Sequence, residues 1–419
     1  MLKKFGIVSL ANFISVVMVF IFQAVATRFL TPNDYGIFSK WLVTIGYLEL
    51  SLALGLDSSL LNFSKKNISP SFNVSRNFIV YFFISVILFL FILPFKSSFI
   101  YLLGLLVTVI SLAVRSSLRA YFQYYEKFNI YSILLISKSL PILIGFLLPF
   151  FYLKNLSVNE AIIIYSSGTV ISLIFVFIIY IKNERIKKVR LNKVWDVEYF
   201  KFGIKSILGK VISLLLYALD IYIISFLLDN KSVAYYYVAV GLSKVTWFIA
   251  DSAGNILYPK FIKSKDNNPL EVLNNSSLLI EIVLLFNILS LIVFALLGNI
   301  LLSIIYESSY ILAYKTVLIL IIGGQGMVYY KIMSRFLASR NRWKEIYLSL
   351  IVAIIINIIL NFILIPIWGI EGAALASMVS YWLCGYIISY KSGFNFWGVF
   401  TFKLLRTNIK KILFIKSCR

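Results

Sequence analysis

The sequence predicts an all-α integral membrane protein of about 12 transmembrane helices in two six-helix lobes. Three observations carry this. Hydrophobic residues make up 61% of the 419 residues and charged residues only 14%, with a mean hydropathy of +0.92. Soluble domains run near 45–50% and 25%. The apolar residues gather into runs long enough to cross a bilayer, which takes about 20 residues. The cations alternate from loop to loop, as the positive-inside rule requires. An aromatic content of 17% also excludes a disordered chain.

In lipid the backbone must satisfy its own hydrogen bonds, so each long apolar run reads as a helix. In order, the runs are Phe5–Leu30, Gly36–Asn62, Asn77–Leu93, Phe99–Val114, Tyr131–Tyr152, Ala161–Ile181, Phe200–Leu228, Val233–Leu257, Ser277–Leu297, Ile311–Ser334, Ile346–Ile367 and Gly372–Tyr390. The first is longer than a signal-peptide core and reads as a retained span. Between spans one and two, Thr31-Pro32 ends a helix, Asn33-Asp34 offers a turn and a cap, and Gly36 permits a tight reversal. Gly298–Tyr310, before span ten, reads as a loop or a partly re-entrant segment. Pro366 stops span eleven, and Gly372, Ala373 and Ala374 let span twelve approach its neighbours closely. Asn357 and Asn361 are four residues apart and share one face as interhelical hydrogen-bond groups.

With the N-terminus inside, the outer loops hold only Lys96, Lys154 and Lys231 among cations, against Asp34, Glu160, Asp229, Glu307 and Glu371. The inner loops take the rest, including Arg115, Arg119 and Lys127, seven cations between Lys182 and Lys201, and seven from Lys391 onward. Both termini then lie in the cytoplasm and the span count is even. The net charge of +23 follows from topology, not from a nucleic-acid surface.

The basic linker 182–199 divides the chain into lobes 1–181 and 200–390. Each lobe opens alike: Lys4-Phe5-Gly6-Ile7-Val8-Ser9-Leu10 and Lys201-Phe202-Gly203-Ile204-Lys205-Ser206-Ile207. An even number of spans per half makes this a parallel repeat about an axis along the membrane normal. The tail 391–419 mixes Trp397, Phe400, Leu404 and Phe414 with Lys403, Arg406, Lys410 and Lys411. It reads as an amphipathic helix on the inner leaflet, in contact with anionic membrane lipid.

Eight cations fall inside spans: Arg28, Lys40, Lys138, Lys205, Lys210, Lys244, Lys315 and Lys331. A Lys or Arg at a helix centre costs about 2.5–3.5 kcal/mol on insertion scales, so depth decides which are informative. Arg28, Lys40, Lys205 and Lys315 lie near span ends and can snorkel. Lys138, Lys210 and Lys244 lie about 10–17 Å from the nearer boundary, and Lys210 and Lys244 are deepest. They face either a hydrated cavity or a carboxylate. The span acids are Glu49, Asp57, Asp220, Asp251 and Glu281, too few to pair every cation. Glu49 is a partner within reach for Lys138 or Lys210. The chain has no histidine, and Cys384 and Cys418 are far apart, so neither a His-based site nor a metal or cofactor site is expected.

Three stretches resemble the Wzx-type polysaccharide flippases of the multidrug/oligosaccharidyl-lipid/polysaccharide (MOP) exporter superfamily. They are Arg28-Phe29-Leu30-Thr31-Pro32-Asn33-Asp34-Tyr35-Gly36, Gly55-Leu56-Asp57-Ser58-Ser59-Leu60, and the segment from Asn357 to Ala374. The resemblance implies a MATE-like fold with two lobes around a central cavity and alternating access. It implies transfer of undecaprenyl-diphosphate-linked oligosaccharide repeat units to the outer leaflet of the bacterial inner membrane, for O-antigen or capsule. The fourteen-span lipid II flippases of the same superfamily differ in the tail.

A diphosphate crossing the bilayer needs its charge compensated, and a hydrated cavity lined by Lys and Arg does so. Lys210, Lys244, Lys138, Arg28, Lys331 and Lys315 are the expected cavity cations. Glu49, Asp220, Asp251 and Glu281 are the acids available for pairing or for H⁺ or Na⁺ coupling. Other polysaccharide-assembly proteins are possible partners. Two alternatives stay open: a drug/cation antiporter of the same superfamily, and a membrane glycosyltransferase or polymerase. The first favours excess carboxylate in the spans; the second favours catalytic acids and a sizeable outer domain.

Overall fold

The structure, a computed structural model, describes residues 2–63, 70–92, 99–125, 127–149, 155–183, 197–244, 247, 249–251, 253–254, 257–258, 261 and 269–398. Most of the expected linker, and the expected amphipathic tail beyond Gly398, lie outside the described residues. Among the described residues the regular elements are all helical. The chain divides into two compact units, Met1–Leu214 and Leu215–Arg419.

The first unit begins with α1 (Leu2–Phe29), which packs on α6 (Phe128–Leu147). Leu30 and Thr31 alone connect α1 to α2 (Pro32–Ala53). Thr31 Oγ1 accepts from Asp34 N at 3.2 Å and donates to Asp34 Oδ2 at 2.8 Å, so cap and third residue satisfy each other. Pro32 fits at the first helical position because its missing N–H has no partner there anyway. Gly36 is a buried helical residue, so the expected reversal at Gly36 is corrected to Leu30-Thr31.

Span two is also corrected. It breaks at Leu54 (φ 45°) and Gly55 (φ 65°) before α3 (Leu56–Phe63). Glycine is needed at the break, because the backbone of Gly203 fills the space any side chain on Gly55 would occupy and because φ is positive there. Ser59 Oγ donates to Tyr199 O at 2.7 Å, and Tyr199 Oη donates to Asn77 Oδ1 at 2.8 Å. The Arg76 guanidinium lies 3.5 Å over the Tyr199 ring. These contacts hold the start of α8 (Val197–Leu227) against α3 and α4 (Pro70–Ile92).

Helix α5 (Phe99–Tyr124) packs on α2, α4, α6 and α7 (Val158–Asn183). It runs ten residues past Val114, so Arg115 and Arg119 lie within a helix and not in the expected inner loop. Gly104 and Gly168 let α7 approach α5 and α6 closely.

In the second unit, Leu228 and Asp229 connect α8 to α9 (Asn230–Ser243). Asp229 caps α9 by accepting from Ser232 N at 2.7 Å. The expected continuous span Val233–Leu257 is interrupted: α9 ends at Ser243, and the described residues from Trp247 to Phe261 are helical again. Lys244 O accepts from Trp247 N at that turn. Helix α10 (Pro269–Ile305) overruns the expected end at Leu297, so Gly298–Ile305 is helix, not loop. The Phe294 and Tyr314 rings stack, and Tyr314 Oη donates to Ala295 O at 2.7 Å, which binds this last stretch to its neighbour. Tyr306 and Glu307 lead into a short 3₁₀ turn, Ser308–Ala313, and then α11 (Tyr314–Ser339).

The last element, α12 (Trp343–Ser392), is two arms joined at Gly369 (φ 56°, ψ −135°). The helix continues through Pro366 and stops three residues later, which corrects the expected stop at Pro366. Proline removes a hydrogen bond toward the preceding turn, whereas only glycine readily takes the Gly369 dihedrals. The chain then doubles back, with Gly372 against the backbone of Leu364. Gly326 of α11 and Gly385 of α12 meet backbone to backbone. Among the described residues nine helices are long and apolar enough to cross a membrane. One of these is the doubled α12, α4 contributes a shorter apolar helix, and the interrupted span eight is not counted.

Candidate functional site

In the second unit, Asp220 of α8 is completely buried. Tyr236 Oη of α9 donates to its Oδ2 at 2.5 Å, Asn361 Nδ2 donates to Oδ1 at 2.7 Å, and Ser377 Oγ also donates to Oδ2. Asn361 Nδ2 also donates to Asn357 Oδ1 at 3.0 Å, and Asn357 Nδ2 to Ser377 Oγ at 3.5 Å. The spacing of Asn357 and Asn361 aims both amides one way, and the reversal at Gly369 returns Ser377 to meet them. All the donors are neutral, and among the described residues Asp220 has no ion-pair partner. Asn361 Oδ1 is buried and makes no hydrogen bond. A carboxylate and a spare amide oxygen offer two hard acceptors to a proton or a small cation.

Also in the second unit, Lys331 Nζ of α11 donates to Asp251 Oδ2 at 2.6 Å, and Arg335 Nη2 reaches Asp251 Oδ1 at 3.2 Å. The two cations are one helical turn apart and share one carboxylate. Lys331 also lies 5.4 Å over the Trp247 ring. Lys244 closes the end of α9. Its side chain is exposed. Lys331 is its nearest charged influence, and it makes no hydrogen bond or ion pair among the described residues.

In the first unit, Lys210 of α8 is paired with Asp57 at 3.8 Å, not with Glu49. Glu49 acts electrostatically on Lys138, as do Arg115 and Arg119, but no ion pair joins Glu49 to any of them among the described residues. Arg28 is exposed in the last turn of α1. Lys315 lies 3.9 Å from Glu371 with its side chain 72% exposed, a geometry that contributes little energy. Glu281 is buried in α10. Within the second unit Lys331 acts electrostatically on Lys244, within the first Glu49 acts on Lys138, and Lys210 and Lys315 each have a carboxylate of their own.

Sequence reasoning missed Tyr236 and Ser377, because hydroxyl residues recur throughout the spans without marking a site. It also missed Arg115 and Arg119. Their signal was the four-residue spacing, which stacks two like charges on one helix face.

Residues 1–265 match the family model described as polysaccharide biosynthesis protein. The chain belongs to this family. No curated protein sequence matches it. Among solved structures, this polysaccharide biosynthesis family member is similar to the lipid II flippase MurJ in an inward closed conformation. The TM-score is 0.74 at 16% identity, over 97% of this chain and 92% of that one. An inward-facing multidrug resistance MATE family transporter of the MOP superfamily gives 0.70 at 11% identity, over 92% and 97%. A MOP superfamily transporter from Pyrococcus furiosus, described by the reverse polarity of its binding pocket, gives 0.65 at 11% identity, over 93% and 94%. At these identities the likeness is one of fold: the family member is a multi-pass membrane protein with the MATE-like fold, and its structural neighbours are transporters, not enzymes.

Proposed function

We propose that the protein is a flippase that moves undecaprenyl-diphosphate-linked oligosaccharide repeat units from the cytoplasmic to the outer leaflet of a bacterial inner membrane. Transport runs by alternating access between lobes 1–181 and 200–390, with both termini in the cytoplasm. The observation that carries the reading is Lys244, a solvent-accessible cation inside a helical membrane protein with no carboxylate or hydrogen-bond partner among the described residues. A fixed cation in such a place costs insertion energy unless a negative group meets it. The diphosphate of a lipid-linked sugar is such a group. The family and the flippase among the structural neighbours support the same class. The excess of span cations argues against the antiporter alternative.

Asp220 is the proposed coupling site for H⁺ or Na⁺. Its acceptors are enclosed, its donors are neutral, and Asn361 Oδ1 has no partner. Asp251 is instead neutralised by Lys331 and Arg335.

The test is complementation of a strain lacking its own repeat-unit flippase. Lys244→Ala should cut surface glycan at least tenfold with normal membrane abundance. Wild-type export by the Lys244→Ala strain would remove the cationic-cavity reading at that position.

A further inference from the structure

In the second unit, Asn287 stands at the middle of α10, eighteen residues from Pro269 and eighteen from Ile305, about 27 Å along the helix from either end. It is completely buried, and neither its Nδ2 nor its Oδ1 makes a hydrogen bond within the protein. Its side chain is too short to reach a membrane surface from there. Ile280, Asn287 and Phe294 recur every seven residues and form one buried stripe, while Leu289, Ile292 and Leu296 on the other side of α10 are exposed.

The helix packs on α11. Near the turn that joins the two, the Phe294 and Tyr314 rings stack and Tyr314 Oη donates to Ala295 O, which fixes the register of the antiparallel pair. Counted from that contact, Asn287 lies about 12 Å along α10 and Gln325 about 16 Å along α11. Gln325 is three turns from Tyr314 and so shares its face. Side chains on a helix lean toward its N-terminus. In an antiparallel pair, Asn287 and Gln325 therefore lean toward each other. Gln325 is buried too, and its Oε1 makes no hydrogen bond within the protein.

Packing alone does not call for this pair, since a leucine at Asn287 would continue the apolar stripe. Where other buried asparagines of this unit join helices, the protein supplies a partner: Asn361 Nδ2 donates to Asp220 Oδ1, and Asn357 Nδ2 to Ser377 Oγ. An unmet amide in an apolar interior is costly. The chemistry of the three atoms decides what meets them. A cation satisfies the two oxygens and is repelled by the Nδ2 hydrogens. An anion satisfies Nδ2 alone. Water both donates and accepts.

We propose that water is bound between α10 and α11 in the middle of the membrane, donating to Asn287 Oδ1 and Gln325 Oε1 and accepting from Asn287 Nδ2. About three hydrogen bonds is the usual complement of a buried water. A shift of α10 along α11 then exchanges water contacts at this depth and breaks no direct bond between the two amides. The site rests on the packing of the second unit and not on the flippase reading.

The experiment is X-ray radiolytic footprinting of the full chain in phosphatidylcholine nanodiscs, where irradiated water oxidises the side chains beside it. Leu284 and Ile321, buried one turn from the two amides, should be oxidised at least tenfold faster than the lipid-facing Leu289 and Leu296. Asn287→Leu combined with Gln325→Leu should lower the Leu284 and Ile321 rates at least fivefold and leave the two controls unchanged. Equal rates at the four positions in the wild type overturn the site, whether or not the double variant folds. A double variant that folds and keeps the fast rates overturns it as well. Melting in sodium chloride against choline chloride separates water from a cation. A rise with Na⁺ in the wild type that is lost in Gln325→Leu assigns a cation and overturns the water. An equal rise in both, or none, supports it.

Discussion

Asp220 is completely buried and has no cation partner among the described residues, held by the hydroxyls of Tyr236 and Ser377 and the amide of Asn361. Exchanging it for Asn keeps the volume and removes the charge. Asp220→Asn should leave the melting temperature within a few degrees and reduce export at least tenfold, measured by thermal unfolding and glycan blotting. A collapse of stability instead would make Asp220 a structural residue. Asp229 offers a second test at this scale, outside the spans. The backbone N–H of Ser232 holds its carboxyl below the ordinary value of 3.8. A carboxyl lowered on folding adds stability above its unfolded value and loses it as the pH falls through the folded one. Asp229→Ala should therefore cost about 0.5–2 kcal/mol at pH 7, and the gap in melting temperature should narrow toward pH 3. Asp220, Asn357 and Asn361 were legible as polar letters in apolar runs. Ser377 and Tyr236 were not, because only the reversal at Gly369 and the packing of α9 bring them to Asp220.

Hydropathy locates helices well and their ends poorly, because it reports apolar content and not backbone geometry. The stop at Gly369 and the break at Leu54-Gly55 are backbone events, and Arg115 ended an apolar window without ending a helix. Gly369→Ala should cost about 1–3 kcal/mol, since the dihedrals alone are at fault and no neighbour lies within 4 Å of the added carbon. Pro366→Ala should be neutral or stabilising, because the helix already continues through that position. Denaturation of the two variants side by side checks both. A larger loss at Pro366 than at Gly369 would restore the sequence expectation.

At the scale of the whole molecule, apolar content and loop charge made the class and the family-like layout legible. The linker 182–199 marks where the second apolar half begins, whereas compactness divides the chain at Leu214. The two differ because Tyr199 and Gly203 fasten the first turns of α8 to α3 and α4. The proposed orientation has its own test. In a chain with Cys418 replaced by Ser, Cys384 is buried and silent. Lys231→Cys should react with an impermeant maleimide on intact cells, and Arg190→Cys only after the membrane is opened. On the face proposed to look outward, Leu30-Thr31, Leu228-Asp229, Tyr306-Glu307 and the turn at Gly369 join helices with almost no chain between them. Each of these described connections gives an antibody or a protease little to grip. Under the proposed flippase reading, none of them offers a departing sugar a surface to be inspected by, so at these points discrimination between glycans falls to the helices.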